Sequence, residues 1–154
     1  MSTLNPYENS ENSLVEQPTI KLFNKLGWKT YNAFNEFDSG VSPLERNERN
    51  EIVLISRLRS SLIKLNPSIP KESINKAIAE FTRDRSAMNF SKANKQIYKF
   101  LKDGMNIKVQ RDDGESFKKV FFIDWNNIEN NDFLLTSQLW ITGDYYTRRP
   151  DLIG

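Results

Sequence analysis

The stretch that decides the fold stands at the end of the chain and reads NDFLLTSQLWITGDYYTRRPDLIG (residues 131–154). Its apolar segment, Phe133 to Ile141, predicts a buried strand with alternate residues on one face. Gly143-Asp144 then predicts a turn. Leu152-Ile153 has the apolar character of the start of one more strand, so this end of the chain is expected to contribute two strands to a sheet.

An acidic residue precedes the second of these strands. Asp151 follows Pro150 directly, and two arginines, Arg148 and Arg149, come just before the proline. A carboxylate at a sheet edge beside two arginines is a plausible start of a metal site for phosphodiester chemistry, and the arginines could hold a phosphate through paired hydrogen bonds. On this local pattern alone, a turn residue and ordinary surface charge are the commoner explanation.

The composition of the 154-residue chain predicts one folded domain, because 38% of its residues are hydrophobic and 12% are aromatic. Cysteine and histidine are both absent. Their absence excludes disulfides, thiol catalysis and zinc–thiolate sites, and it removes the commonest general base. Any catalysis by this chain must therefore use carboxylates, lysine and a hard cation such as Mg²⁺.

The sequence contains no signal for membrane insertion or export. No apolar run approaches the length of a membrane span. Residues 1–12 are polar and acidic, so we interpret them as a flexible tail and neither as a signal peptide nor as a transit peptide. The expected location of the protein is the cytoplasm.

The net charge of +2 conceals an uneven distribution of charge along the chain. Residues 46–103 contain 13 Lys/Arg and 6 Asp/Glu, a balance of +7, and the rest of the chain has a balance of −5. A basic block of this kind fits a protein that meets a polyanion such as duplex DNA on one face. A solvated lysine-rich surface explains the same bias equally well.

An amphipathic helix is predicted near the start of the chain. Ser13 and Glu16 have the spacing of a capping box, and Gly27 is a natural C-cap, although Pro18 offers an alternative start for the helix. Glu16 has two candidate roles, as a capping residue or as an acid that faces an active site, and the local pattern favours capping. A strand from 28 to 34 is expected to follow the helix.

The middle of the chain alternates between turn signals and amphipathic segments. The predicted elements are, in order, a loop (35–50), three helices (51–65, 71–83 and 91–103) and two strands (105–111 and 117–125). Ser91 is the candidate N-cap of the third of these helices. Asp113-Gly114 is a strong hairpin signal between the two strands. Because 117–125 is apolar on nearly both faces, we expect this strand to be central and covered on two sides.

Several blocks of the sequence, in this order, resemble the N-terminal part of the R subunit of type I restriction endonucleases. The blocks are Ser13-Leu14-Val15-Glu16-Gln17-Pro18, Leu26-Gly27-Trp28, Leu58, Leu65-Asn66-Pro67, Thr82-Arg83-Asp84-Arg85-Ser86-Ala87-Met88, Leu101-Lys102-Asp103-Gly104, Asp124-Trp125, Asn130-Asn131-Asp132-Phe133 and Arg148-Arg149-Pro150-Asp151-Leu152. The resemblance covers nearly the whole chain from Ser13 onward.

The resemblance implies a nuclease domain of the PD-(D/E)XK class over residues 13–154, with a helical insert over 46–103. The implied fold is a restriction-endonuclease-like mixed α/β sheet. Asp151 would be the ligand of Mg²⁺ and, with Glu16 as a second acid, would form the catalytic site. The chemistry of their guanidinium groups, and not the resemblance, makes Arg148 and Arg149 the candidate DNA-binding residues.

In the family this segment continues to a Glu-x-Lys strand and to ATP-driven motor domains. The implied activity of the complete protein is ATP-dependent, Mg²⁺-assisted cleavage of unmodified foreign DNA, with methylation and specificity subunits as partners. The present sequence stops at Gly154, before the Glu-x-Lys strand. It is therefore expected to be a partial domain that cleaves no DNA by itself, with ATP entering only through the motor domains.

Two other functions remain open at this point. The chain could be a non-catalytic remnant of a split or decayed restriction gene that binds DNA or another subunit. It could also be an unrelated regulatory α/β module.

Overall fold

The computed structural model describes residues 12–111 and 114–154, which form two compact units. One unit contains the residues before Val53 and those from Asp132 onward, and the other contains Val53–Asn131. Both units contain helix and strand, which confirms the expected mixed α/β class.

Along the described residues, the first helix and strand are followed by three helices and then by six strands. In chain order they are α1 (Gln17–Lys25), β1 (Lys29–Asn32), α2 (Ile55–Leu65), α3 (Lys71–Phe81), α4 (Phe90–Asp103), β2 (Met105–Arg111), β3 (Gly114–Val120), β4 (Leu134–Ser137), β5 (Ile141–Thr142), β6 (Thr147–Arg148) and β7 (Leu152–Ile153). A π-helical turn, Asn12–Glu16, leads into α1, and a 3₁₀ turn, Ile128–Asn130, precedes β4.

The first unit is built on a mixed sheet whose strand order, among the described residues, is β1-β4-β7. The central strand β4 runs parallel to β1, with Lys29 opposite Leu134, and antiparallel to β7, with Thr136 opposite Ile153. Because β4 has a neighbour on each side, three of its four residues are buried. The strand predicted at Leu152-Ile153 is therefore confirmed.

Helix α1 lies against this sheet through aromatic contacts. The ring of Trp28 meets Phe23 edge-on at 4.7 Å and stacks on Phe133 at 4.8 Å. Pro18 stands in the first turn of α1, a position at which proline is common because its φ suits a helix. Gly27 then ends the helix in a left-handed conformation with φ of 86°.

The loop between β1 and α2 contains no regular element, as predicted, and is organised by a buried ion pair. Glu36 and Arg46 are 2% and 3% exposed. The guanidinium of Arg46 donates to both carboxylate oxygens of Glu36 and to the carbonyls of Glu51 and Trp140. Burial raises the pKa of Glu36, but hydrogen bonds from Arg46 and Ser42 outweigh it and bring this pKa below its ordinary value.

The second unit packs α2, α3 and α4 with the β2–β3 hairpin around one apolar core. The buried residues of that core are Leu62, Ile74, Ala77, Ile78, Met105, Ile107, Val109, Val120 and Phe122. The hairpin is in register from Met105–Val120 to Arg111–Gly114. Between α4 and β2, Gly104 has φ of 81°, and an added Cβ would lie 2.8 Å from the carbonyl oxygen of Val120. Glycine is therefore required at this corner.

The prediction of a central strand over 117–125, covered on two sides, is wrong. β3 ends at Val120, and Phe117 is 71% exposed in a hairpin that, among the described residues, has only two strands. Beyond Val120, the side chain of Asn66 takes the place of a neighbouring strand. Its Nδ2 donates to the carbonyl of Phe121 at 2.9 Å, and its Oδ1 accepts from the amide of Phe121 at 2.9 Å.

Two other boundaries differ from the prediction. The N-cap of α4 is Asn89, whose side chain accepts a hydrogen bond from the amide of Ser91, so Ser91 is not the cap. The apolar run from Phe133 to Ile141 does not form one strand, because Gln138 has φ of 56° and separates β4 from β5. Left-handed backbone cannot continue a strand.

Part of the predicted organisation falls outside the described residues. Residues 1–11 of the expected flexible tail and Asp113 of the expected hairpin turn are not among them. The helical insert over 46–103 stays a prediction, as does the nuclease domain over 13–154.

Candidate metal-binding and phosphate-binding site

One edge of the sheet in the first unit brings together Gln138, which follows β4, and Asp151, which precedes β7. The two strands are antiparallel, so the end of one lies beside the start of the other. The amide of Gln138 donates to the carbonyl of Asp151 at 3.0 Å. This bond extends the pairing of Ser137 with Leu152 by one step and fixes the position of Asp151.

The side chain of Gln138 joins Asp151 to Glu16, the other acid expected at the site. Its Nε2 donates to Oε1 and Oε2 of Glu16, both at 3.0 Å, and to Oδ1 of Asp151 at 3.3 Å. Two carboxylates that are distant in sequence thus share one amide donor. Gln138 was not predicted as a site residue from the sequence. The feature that could have indicated it is that Gln138 is a polar residue inside an otherwise apolar run.

Glu16 does not have the capping role that the local sequence pattern favoured. It stands at the N-cap position of α1, but it forms no side-chain capping hydrogen bond there. Its side chain is instead buried, with 8% of the residue exposed, and its carboxylate accepts from Gln138.

Gln138 holds an unfavourable backbone conformation at this point. A left-handed residue that is not glycine costs about 1–2 kcal/mol. Such conformations persist where surrounding contacts determine them, and they are concentrated at functional sites. Here the surrounding contacts are the backbone bond to Asp151 and the side-chain bonds to both carboxylates.

The two carboxylates meet the minimum that a magnesium ion needs from a protein. Mg²⁺ is commonly held by one or two carboxylates, with water and substrate phosphate completing its shell. Asp151 is exposed and Glu16 is buried beside it, so one carboxylate is accessible and the other is fixed. Across the described residues, no group of three or more acidic side chains has a geometry suited to a metal ion.

The two arginines before Asp151 are both exposed and both lie over aromatic rings. The guanidinium carbon of Arg149 is 5.1 Å from the ring centre of Phe34 and 5.0 Å from that of Trp140. The guanidinium of Arg148 lies 5.4 Å from the ring of Tyr146. Contacts of this kind restrict a guanidinium plane and leave its N–H groups free to meet an anion.

A third arginine on this surface, Arg49, was not identified from the sequence. Its guanidinium lies 5.4 Å from Trp140 and 5.9 Å from Phe37, and its carbonyl accepts from the amide of Thr142 at 3.1 Å. Trp140 is therefore in contact with both Arg49 and Arg149. A surface depression of about 360 Å³ lies beside Arg49. No local pattern in a polar loop could have indicated this contact.

The aromatic residues of the turn do not belong to the core. Tyr145 is 88% exposed and Tyr146 is 71% exposed, so neither ring is part of a core. Trp140 is partly buried, and its indole N–H donates to the carbonyl of Phe34 at 3.2 Å.

Some blocks that carry the family resemblance have structural roles. Asp124 is the centre of a loop, where it accepts from the amide of Asn126 at 3.0 Å, the amide of Asn127 at 2.9 Å and the side chain of Asn130 at 2.8 Å. The bond from the Asn130 side chain and the bond from the Asn127 amide lower the pKa of Asp124.

Arg85 similarly caps the carboxyl end of α3. Its guanidinium donates to the carbonyls of Glu80 at 2.7 Å, Phe81 at 3.0 Å and Arg83 at 2.7 Å, and to the side chain of Gln96 at 2.8 Å. The side chain is 8% exposed. Neither Arg85 nor the buried Arg46 presents its charge to a polyanion, although both lie in the basic block.

Fold and site together define a mixed α/β protein that joins two acids through one glutamine at a sheet edge. Residues 8–154 match the family described as "Type I restriction enzyme R protein N terminus". The match covers nearly the whole chain, so the chain belongs to this family, and the resemblance inferred from its sequence blocks is confirmed.

Two relatives show how this segment relates to longer proteins. The chain is 26% identical over 141 residues to the "Type I restriction enzyme HindI endonuclease subunit" of Haemophilus influenzae, covering 91% of the chain and 13% of the relative. It is 26% identical over 149 residues to the "Putative type I restriction enzyme MjaIXP endonuclease subunit" of Methanocaldococcus jannaschii, covering 94% and 14%. The chain therefore spans about a seventh of the length of these relatives.

None of the described helices is long and apolar enough to cross a lipid bilayer.

Proposed function

We propose that this chain contributes the carboxylates of a Mg²⁺-dependent nuclease site, Glu16 and Asp151, to a type I restriction enzyme that cleaves unmodified foreign DNA. The observation that carries this proposal is the shared hydrogen bonding of both acids to Gln138. The sheet β1-β4-β7 with α1 packed against it would be the core of a restriction-endonuclease-like fold of the PD-(D/E)XK class.

The chemistry of the donor set supports magnesium as the metal. Among the described residues, the oxygens that converge are carboxylate oxygens, which suit a hard cation. When bound, Mg²⁺ would act as a Lewis acid that neutralises charge on the phosphodiester and lowers the pKa of a bound water. Glu16 and Asp151 would hold the ion, and in the absence of the ion Gln138 keeps the two carboxylates within reach of each other.

The arginine surface supplies the second requirement, which is binding of the DNA backbone. Arg148 and Arg149 are exposed next to Asp151 in sequence, and Arg49 contacts the same Trp140 ring as Arg149. Guanidinium groups bind phosphate through paired hydrogen bonds. We propose that these arginines bind duplex DNA beside the carboxylates through sequence-independent contacts with the phosphate backbone.

The remaining parts of the proposed activity would come from other segments and subunits. Because the chain belongs to this family, we propose that these parts are a Glu-x-Lys strand, ATP-driven motor domains, and methylation and specificity subunits. A cytoplasmic location belongs to the same proposal.

Cleavage by the assembled enzyme tests the role of the acids. The R subunit that carries this segment would be combined with its methylation and specificity subunits, unmodified plasmid, Mg²⁺ and ATP. Asp151→Asn and Glu16→Gln are expected to abolish linearisation while ATP hydrolysis continues, because only the metal site is changed. Asp144→Asn, which alters an exposed acid in the adjacent turn, is the matched control and should cleave normally. Normal cleavage by Asp151→Asn would refute the assignment.

A second candidate function is non-catalytic binding of DNA or of a partner subunit. The exposed arginine–aromatic surface supports it, because that surface needs no metal to bind a phosphate backbone. The two functions differ in one readout. A binding role predicts that Asp151→Asn leaves every activity of the assembled enzyme unchanged, whereas Arg149→Ala weakens DNA binding.

A further inference from the structure

The second unit contains a cleft along the outer edge of β2 that is separate from the carboxylate site. The cleft has a volume of about 630 Å³, within the range of ligand-binding sites. It is lined by α3, by α4 and by the consecutive backbone segment 104–108 at the start of β2. A strand edge therefore forms one wall, and two helices form the others.

The hydrogen-bonding groups on this edge are available. Within the described part of the chain, β2 pairs with β3 on one side and with no strand on the other. In an antiparallel pair, about every second residue directs its N–H and C=O away from its partner. No backbone partner is found for these outward groups among the described residues. Asn106 and Lys108 are exposed, whereas Met105 and Ile107 turn their side chains into the core.

Three lysines give the cleft a positive rim. Lys76 comes from α3, Lys99 from α4 and Lys108 from β2. In the described residues, Lys76 and Lys99 have no acidic partner. Lys108 forms an exposed ion pair with Glu115 at 3.1 Å, and its ammonium lies 5.8 Å from the ring centre of Phe117. Glu80 is the acidic residue that lines the cleft, and its negative charge is already compensated by neighbouring positive charges.

Two arginines provide that compensation. Arg83 and Arg85 lie 3.3 Å and 3.5 Å from the carboxylate of Glu80. The lysine charges are therefore not cancelled from within the cleft. Phe100 adds a partly buried aromatic surface to its wall.

We propose that this cleft binds an extended acidic peptide segment of a partner protein, which adds to the edge of β2 as a third strand. Strand addition uses main-chain hydrogen bonds for affinity and side-chain contacts for specificity. The lysines select a segment with aspartate or glutamate on the side chains that face the rim. A second copy of this chain would bring the same basic edge, so like charges disfavour self-pairing.

A peptide fits this cleft better than a nucleic acid does. A phosphate backbone offers charge to lysines, but it offers nothing that pairs with the alternating N–H and C=O groups of a strand edge. The proposal does not depend on the carboxylate site, since every residue that lines the cleft belongs to the second unit.

The test uses the full 154-residue chain and a fluorescein-labelled peptide of about eight residues, in which glutamate alternates with valine. Fluorescence anisotropy should show saturable binding that weakens with salt. A peptide of the same sequence with alternate backbone amides N-methylated should not bind, because its strand-pairing donors are removed. Hydrogen exchange at the β2 amides should slow when the unmodified peptide is bound.

Two charge-reversal variants locate the site. Lys76→Glu combined with Lys99→Glu should weaken binding about tenfold or more, because like charges then face the peptide. The control variant, Lys92→Glu combined with Lys95→Glu, changes the net charge by the same amount at exposed positions of α4 that do not line the cleft. It should change the affinity for the peptide by less than about twofold. Far-UV circular dichroism confirms that both variants are folded.

Three outcomes would overturn the proposal. The first is equal binding of the N-methylated peptide, which would mean that charge alone drives association. The second is an equal loss of affinity in the two double variants. The third is displacement of the peptide by duplex DNA whose own binding depends on Lys76 and Lys99, since the cleft would then be a nucleic-acid site.

Discussion

Replacing Gln138 with alanine tests whether this side chain holds the two acids of the candidate site together. The change removes the Nε2 donor that lies 3.0 Å from both oxygens of Glu16 and 3.3 Å from Oδ1 of Asp151. Glu16 is only 8% exposed, so water replaces the lost donor poorly. Asp151 is exposed, and water readily takes the place of its longer bond.

The expected cost follows from these two environments. A hydrogen bond to a charged group contributes about 1.5–3 kcal/mol, and the bond to the exposed Asp151 adds little. We therefore expect Gln138→Ala to lower the free energy of unfolding by about 2 kcal/mol in the absence of metal. For a chain of this length the midpoint of thermal unfolding should fall by about 4–8 °C.

Bound Mg²⁺ should reduce the difference in stability between wild type and Gln138→Ala. If Mg²⁺ binds between the two carboxylates, it takes over the role of the amide donor, and its binding stabilises the folded state of the variant. The gap in stability between wild type and Gln138→Ala should therefore be smaller in excess MgCl₂ than in EDTA. Gln138→Gly should lose about 1 kcal/mol less than the alanine variant, because glycine adopts φ of 56° without strain.

Urea unfolding followed by far-UV circular dichroism measures these differences. Gln110→Ala, which truncates an exposed glutamine of β2, is the matched control and should change stability by less than about 0.5 kcal/mol. If Gln138→Ala is as stable as wild type in EDTA, Gln138 does not stabilise the pair of acids. A loss of stability that is identical with and without Mg²⁺ would contradict the metal-bridging role while leaving the hydrogen bond intact.

Three further predictions concern the buried ion pair, the helix cap and the arginine surface. Glu36→Gln should cost about 3–5 kcal/mol at neutral pH, because it leaves a buried guanidinium unpaired. The pKa of Glu36 in the folded protein is below its ordinary value of 4.5, so the stability that the ion pair contributes is present above pH 4.5 and is lost as pH falls through the folded pKa. Urea unfolding at a series of pH values should show the free energies of unfolding of wild type and variant converging in acid. Parallel curves would be evidence against the ion pair as the source of this stability. Arg85→Lys should lower the free energy of unfolding by about 2 kcal/mol, because an ammonium group cannot form the four hydrogen bonds of the planar guanidinium. The control Arg83→Lys, at an exposed position, should lower it by less than about 0.5 kcal/mol. Equal melting temperatures for the two variants would exclude the capping role of Arg85. Arg49→Ala combined with Arg149→Ala should weaken duplex binding and reduce its logarithmic salt slope by about 2, and an unchanged slope in anisotropy titrations would show that DNA contacts another surface.

The elements that follow local patterns were predictable from the sequence. Helix α3 was expected over 71–83 and occupies Lys71–Phe81, because its apolar stripe is strictly helical and Pro70 fixes its start. β2 was expected over 105–111 and has these bounds. Both depend on side-chain periodicity and on breakers that lie next to them in the chain.

The elements that depend on distant contacts were not predictable in the same way. The run from Phe117 to Trp125 is apolar enough for a long buried strand, but β3 ends at Val120 because Asn66, far away in sequence, pairs with the backbone of Phe121. Tertiary contacts override strand propensity at such positions. The break between β4 and β5 at Gln138 also involves distant residues, because Gln138 forms hydrogen bonds with Asp151 and Glu16.

The candidate site shows the same division. Asp151 and Glu16 were named from the resemblance, while the local pattern at Glu16 favoured a capping role that the structure does not contain. Gln138 could have been noticed as a polar residue in an apolar run, but its two partners could not. The charge count over 46–103 included Arg46, whose charge is neutralised inside the first unit.

The central claim, that Glu16 and Asp151 together hold Mg²⁺, is tested most directly by isothermal titration calorimetry of MgCl₂ into the 154-residue chain. We expect a single saturable site in wild type, its loss in both Asp151→Asn and Glu16→Gln, and its retention in the matched control Asp144→Asn. Binding of equal affinity in wild type and Asp151→Asn, or no binding in wild type, would contradict it.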